Sequence, residues 1–171
     1  MNEKLNGKIL ARIVMRAPSV HPKSGAVEKE IVFTVRPGWS NIGKYENALP
    51  GGKIEDNDLL SEEKERDVES LDLIAIGLRA IIREVLEELD YLIDQSSIVF
   101  VTSDTNEAGW TTYYYAVDLA EKPMLSVDSE SAGTLWVGEA HIKDGTAKVF
   151  ADHLAFTLLA IETLDSKKTE E

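Results

Sequence analysis

Cysteine is absent from the 171-residue chain, which excludes disulfides, thiolate nucleophiles and cysteine-based zinc sites. Basic residues are scarce: 18 Lys and Arg stand against 31 Asp and Glu, for a formal net charge of −13. So acidic a chain argues against nonspecific binding to nucleic acid or to an anionic membrane, since both need cationic surface. A small phosphorylated ligand stays compatible, because a bound metal reverses the sign of the local field. No apolar run approaches the length of a membrane span, and the opening Met1–Gly7 lacks a signal-peptide pattern. A soluble cytoplasmic protein is the expectation. What is present is 43% hydrophobic content, enough for a core, over a length that suits one domain, 1–171.

The most structured stretch is a long helical pattern. Leu71, Ile74, Leu78, Ile81, Ile82, Val85, Leu89 and Leu92 recur at steps of three and four, predicting a helix from 69 or 70 to about 93 with one apolar face. At about 100° per residue, Glu84, Glu87 and Glu88 share an adjacent arc. Carboxylates crowded in this way repel unless a cation sits among them, and hard divalent cations prefer oxygen ligands. Arg83 lies one turn before Glu87 and can pair with it. Read alone, such a helix is a solvated acidic face laced with ion pairs. What changes the reading is the upstream Leu49-Pro50-Gly51-Gly52-Lys53-Ile54-Glu55. Two glycines let the backbone approach a ligand or take positive φ, and Pro50 fixes φ before them.

Together these two stretches resemble the signature of the Nudix hydrolases, in which a Gly-Gly loop leads into a helix reading Arg-Glu-(apolar)-x-Glu-Glu-x-Gly-(apolar). Gly51, Gly52 and Glu55 match the loop; Arg83, Glu84, Val85, Glu87, Glu88 and the apolar part of Tyr91 match the helix in register. Two departures stand out. The family's loop carries an acid with five residues between it and a glycine and seven between it and the arginine, and counting back from Arg83 that place holds Ala75. An acidic insertion of about 15 to 18 residues is therefore expected over about 56–70. Asp58, Glu69 and Asp72 are the acids that could take the missing role. The second departure is Asp90 at the family's glycine, a mild change because Asp tolerates the left-handed conformation that ends such a helix.

Along the rest of the chain, 8–17 and 30–36 read as strands joined by a Pro/Ser/Gly loop at 18–25. Further strands are predicted at 97–103, 110–119 and 134–137, and a second amphipathic helix at 149–164, on Phe150, Leu154, Leu158 and Ile161. The acidic run 56–69 reads as a solvated excursion, partly helical from Ser61, and 165–171 as a charged, frayed tail. Gly77 inside the long helix costs about 1 kcal/mol relative to Ala, which a close helix–sheet contact would explain. The alternation of strand-rich and helical segments suits an α+β fold, and the resemblance implies a Nudix-like α/β/α sandwich with a mixed central β-sheet between helices.

The resemblance also implies chemistry: hydrolysis of a diphosphate bond in a nucleoside diphosphate linked to another group. That group could be a sugar, ADP-ribose, a second nucleoside or the rest of a modified nucleoside triphosphate. A catalytically silent nucleotide-binding module on the same fold is the second reading. The implied cofactor is Mg²⁺ or Mn²⁺, held by Glu84, Glu87, Glu88 and Gly52, with Glu84, Glu87 and Glu88 catalytic and Gly51, Glu55 and Arg83 shaping the loop. Glu107 and Glu139 are loop candidates for the base, and Arg36 a candidate phosphate contact. Trp39, Trp110 and Trp136 can stack on a ring but suit packing equally. His21, His141 and His153 show no shared metal-ligand spacing, and His153 reads as a helix-start or surface residue. A homodimer is the ordinary expectation for a small soluble enzyme of this kind.

Overall fold

The computed structural model describes residues 5, 8–38, 46–126, 131–150 and 152–167. The two N-terminal strands are longer than their sequence patterns: β1 spans Ile9–Val20 and β2 Val27–Val35. The loop between them shrinks to a turn in which His21 Nδ1 accepts from the Ser24 backbone N–H at 3.3 Å. β3 (Asn47–Ala48), β4 (Val99–Thr105), β5 (Thr111–Asp118) and β6 (Gly133–Gly138) complete a six-stranded sheet. The order is β3-β2-β1-β5-β4, with β6 also on β2. β1 and β5 are parallel and the other pairs antiparallel, so the sheet is mixed.

Alternation along β1 and β5 sends side chains to two separate cores. Ala11, Ile13, Met15, Tyr115 and Val117 pack with Ile76, Ala80, Ile81, Val85 and Leu89 of α1, Leu73–Leu89. Val14, Tyr114 and Ala116 face the other way, onto Ile142 of α2 (Glu139–Lys143) and Ala160, Ile161 and Leu164 of α3 (His153–Lys167). Both faces of the sheet are thus covered by helix, the sandwich expected from the sequence. Arg16 on β1 also points to the α3 side and is fully buried. It donates to Asp118 at 2.6 and 2.9 Å, Asp165 at 2.8 Å and Glu139 at 3.2 Å, tying β5, α3 and α2 to the central strand. Asp165 therefore belongs to a docked helix and not to a frayed tail; residues 168–171 lie outside the described residues.

Both helices differ from their predicted limits for local reasons. α1 starts at Leu73 because Asp72 caps it, its carboxylate accepting from Ala75 N at 3.1 Å. It ends at Leu89 because Asp90 takes φ 52° and ψ 39°, the left-handed stop that Asp permits. Ile74, at 43% exposure, and Leu92, at 71%, lie off the packed face, which turns instead on Ile76 and Ala80. α3 starts at His153 because Phe150 N donates to Asn47 O at 2.8 Å, holding 149–150 extended beside β3. Its buried stripe is His153, Thr157, Ala160, Ile161 and Leu164.

The glycine within α1 has the close contact its cost calls for. Tyr115 reaches under the helix and donates its hydroxyl to Ile74 O at 2.7 Å, and a Cβ on Gly77 would overlap that hydroxyl. Gly77→Ala should therefore destabilise by about 1 to 3 kcal/mol in urea unfolding, although Ala is the better helix former. In a Tyr115→Phe background, where the hydroxyl is gone, the penalty should shrink towards zero. An equal penalty in both backgrounds would refute the contact as its cause.

Candidate active site

β1 has one edge left over once β5 and β2 are paired. β2 covers only its C-terminal half, and residues 50–54 run along the remainder. Ala11 N donates to Gly52 O at 2.9 Å, Ile13 N to Pro50 O at 3.1 Å and Ile54 N to Ile9 O at 2.9 Å. The Gly-Gly segment is thereby a short extension of the sheet, lying where α1 crosses it. Gly51 has φ +125°, a conformation that side chains disfavour, and a Cβ there would collide with the Ala11 carbonyl. A Cβ on Gly52 would overlap the Glu84 carboxylate. Glu88, one helical turn on, accepts from Gly51 N at 2.9 Å through Oε2. The loop and two of the three box carboxylates are thus in direct contact.

Arg83 binds the same loop from the other side. It donates to Lys53 O at 2.9 Å, to Glu84 Oε1 at 3.0 Å, to Glu87 Oε2 at 2.9 Å, and bidentately to Asp58 at 2.9 and 3.1 Å. The Asp58 hydrogen bonds hold the Arg83 guanidinium above its ordinary pKa. Asp58 is buried, and its Oδ2 also accepts from Glu55 N at 2.8 Å. Of the three acids left open by sequence, Asp58 is the one beside the arginine. Glu69 is exposed and Asp72 is the cap of α1. The signal for Asp58 was present: counting forward from Gly52, five residues precede it, the loop spacing itself. The extra length then falls after Asp58. It is pinned to α1 by Arg79, which donates to Asp58 O at 2.7 Å and pairs with buried Glu63.

A cleft of about 330 Å³ opens at this junction. Its lining includes three acids, Glu55, Glu84 and Glu88, and three cations, Arg12, Arg36 and Lys53. Burial raises the Glu84 carboxyl above its ordinary pKa, and Glu87 adds to the rise, while Arg83 and Arg12 oppose it. Arg12, from β1, donates to Leu49 O at 3.3 Å and to Gly51 O. Burial lowers its pKa against the pull of Glu88 and Glu84. Arg36 lies over the Phe150 ring, 4.9 Å from its centroid. Buried His153 accepts from Leu49 N at 3.0 Å through Nδ1, closing the loop's hydrogen bonding from the α3 side. Burial, then Arg12 and Arg36, push its pKa from 6.5 down to about 3, so it stays neutral and able to accept.

The other candidates fall elsewhere. Glu107 is exposed in the β4–β5 turn, and Glu139 is bound by Arg16 and, at 2.5 Å, by Lys143; neither lines the cleft. Trp136 has Lys122 over its ring at 5.1 Å, and Trp110 precedes β5; they too are away from the cleft lining. Trp39 lies outside the described residues. His141 bonds Thr146 at 3.1 Å. Sequence reasoning missed Arg12; it put His153 at a helix start, where α3 does begin, with a capping or surface role, whereas the ring is buried against the loop. An arginine in a strand that is apolar in both phases was the available signal for the first, and none marked the second.

Among the described residues, no three His, Asp or Glu side chains stand ready to close on one metal ion. The donor chemistry nonetheless suits Mg²⁺ or Mn²⁺: carboxylate oxygens from one helix, glycine backbone against one of them, and no soft ligand. What separates the acids is guanidinium, since Arg83 draws Glu87 and Glu84 to one side while Glu88 bonds the loop.

Solved structures with the same architecture are Nudix proteins. A MutT/Nudix family protein from Listeria innocua matches at 15% identity and TM-score 0.66, over 97% of this chain and 98% of that one. The NUDIX domain of Shewanella oneidensis NrtR, complexed with ADP ribose, matches at 15% identity and TM-score 0.60, over 92% and 88%. A MutT/Nudix family protein from Enterococcus faecalis matches at 18% identity and TM-score 0.57, over 77% of this chain and 44% of that one, so this chain spans less than half of its length. No protein-family profile and no curated protein matches the sequence. At these identities the likeness shows the fold: this chain carries the Nudix fold.

Two predictions come from this geometry. Because His153 resists protonation in the fold but not in the unfolded chain, the unfolded state binds the extra proton between pH 6.5 and about 3. Stability is therefore complete above pH 6.5 and declines as pH falls towards 3. Between pH 7 and 5 the contribution is about 2 kcal/mol. His153→Gln keeps an acceptor for Leu49 N but cannot titrate, so its urea-unfolding free energy should fall by about that much less over the same interval; parallel curves would sink the assignment. Asp58→Asn should cost about 2 to 3 kcal/mol, less than a fully buried pair because Arg83 retains Glu84 and Glu87. The same denaturation experiment reads it, and a loss no greater than that of Glu69→Gln would show Asp58 to be dispensable.

Proposed function

We propose that this chain is a divalent-metal-dependent hydrolase that cleaves a diphosphate bond in a nucleoside diphosphate linked to another moiety. The substrate classes in view are a nucleotide sugar, ADP-ribose, a dinucleoside polyphosphate and a modified nucleoside triphosphate. The observation that carries the reading is the direct contact of Gly51 and Gly52 with Glu88 and Glu84, in a cleft that also gathers Arg12, Arg36 and Lys53. A diphosphate needs cationic partners for its oxygens and a means of offsetting the charge that develops on attack. Bound Mg²⁺ or Mn²⁺ would supply charge neutralisation and a more acidic water. Glu84, Glu87 and Glu88 would hold the ion. Burial raises the Glu84 carboxyl above its ordinary pKa, the direction that suits a group taking a proton from water. Arg36, over the Phe150 ring, and Lys53 would receive phosphate oxygens. Arg83 and Asp58 keep the loop against the helix.

One observation favours a second reading, a nucleotide-binding module without turnover: Arg83 and the loop already claim the box carboxylates, leaving no ready triad among the described residues. The NrtR domain of the same fold was crystallised with ADP ribose, which makes that compound a natural first ligand for either reading.

The test is phosphate-product release from a panel of those substrate classes with Mg²⁺ or Mn²⁺, comparing the wild type with Glu87→Gln and Glu88→Gln. The hydrolase reading expects metal-dependent turnover that drops on the order of 100-fold or more in each variant. Metal-dependent ADP-ribose binding without turnover would replace it with the binding module.

A further inference from the structure

Arg12 is out of place for a residue that serves only packing. It leaves a strand whose central residues, 13–17, are buried, turns its guanidinium to the carbonyls of Leu49 and Gly51, and lines the cleft with the acids and Arg36. Its electrostatic partners are Glu88 and Glu84, the two carboxylates in contact with the glycine loop. Ion-pair geometry puts Arg83 with Glu84 and Glu87, while Arg12 acts on Glu88 and Glu84 from the strand side. A guanidinium cannot lose its proton to escape a rival cation; it must move or exclude it.

We propose that Arg12 is the internal counter-cation of the carboxylate site, competing with a divalent ion for Glu84, Glu88 and the Gly51 carbonyl, so that this arginine sets the metal affinity. The proposal rests on the reading of Glu84, Glu87 and Glu88 as the metal-holding group. Ion entry displaces the guanidinium from Gly51 O towards the Arg36 side of the cleft, where a phosphate would be its next partner. The site then carries a positive charge in either state, from Arg12 or from the ion, and loading turns Arg12 from a lock on the loop into a group free for an anion. Arg36, which lies over the Phe150 ring and lines the same cleft, is the comparison cation.

Direct metal binding tests the idea without reference to turnover. Mn²⁺ is titrated into wild type, Arg12→Met, Arg12→Lys and Arg36→Met, with free ion read by electron paramagnetic resonance. Arg12→Met should bind Mn²⁺ about tenfold tighter than wild type, because a unit positive charge that acts on Glu88 and Glu84 is removed. Arg12→Lys should fall between, retaining charge but not the forked reach to two carbonyls. Arg36→Met should gain less than about threefold, since its charge is off the loop. Equal affinity in wild type and Arg12→Met overturns the inference, as does an equal gain in Arg12→Met and Arg36→Met. In folded wild type, the Arg12 Nε–H resonance, assigned by its loss in whichever of the two Arg12 variants folds, should shift on adding Mg²⁺, and a stationary signal overturns the inference even if the other variant fails to fold. Absence of Mn²⁺ binding in all four proteins takes down the metal-site reading along with it, whereas binding that is indifferent to Arg12 removes this inference alone.

Discussion

Two pieces of backbone and one helix meet where there is no room for a side chain, and the rest of the cleft follows from that. β1 lends its free edge to residues 50–54, three hydrogen bonds fix the register, and α1 crosses close enough that Glu84 rests on Gly52. Any side chain at 51 or 52 would strike the Ala11 carbonyl or the Glu84 carboxylate. The approach is what desolvates Glu84 and lets Glu88 reach Gly51 N. Gly77 and Tyr115 do for the middle of the same helix what Gly52 and Glu84 do nearer its end, so α1 is seated on the sheet by two glycine contacts.

An acidic chain that builds two tightly packed layers has to place its few cations carefully. Three arginines divide that labour. Arg16 gathers Asp118, Glu139 and Asp165 under α3; Arg83 gathers Asp58, Glu84 and Glu87 beside the loop; Arg12 faces Glu84 and Glu88 from within the sheet. Each arginine meets more carboxylates than it can neutralise. At Arg16 the surplus is met by Lys29 and Lys143. At the cleft the surplus remains beside Lys53 and Arg36, which is the arrangement a cation and a phosphate could share.

Local signals carried much of this into the sequence. The apolar period of three and four marked α1, the isolated Gly77 marked a contact, and Asp90 in place of glycine marked the left-handed stop. The face of α1 is legible at Ile81, Val85 and Leu89, which are core, but Ile74 and Leu92 fit the same period and are exposed, while Ile76 and Ala80, outside that period, are buried. The start of α3 was misplaced because the extended course of 149–150 depends on Asn47, about a hundred residues away in the chain, and no local pattern encodes it. Asp58 was left among three acids because distance was counted from the helix, across a segment of added length, instead of from the glycines. The role of Arg12 was hidden more deeply, since a strand arginine pointing at a loop carbonyl looks in sequence like one pointing at water.

The least legible residue, His153, shows how the two sides of the sandwich are joined. It comes from α3, yet it accepts a hydrogen bond from Leu49 N, two residues before the glycine turn that Glu88 holds from α1. Accepting requires a neutral ring, and besides burial the charges that keep it neutral are Arg12 and Arg36. These are two of the three cations of the cleft. The cations that line the cleft therefore also help to fix the loop from behind. Removing both arginines would lift two of the three influences that hold the His153 ring neutral, with burial, the largest, remaining, so the charges of the cleft and the hydrogen bond to Leu49 are coupled.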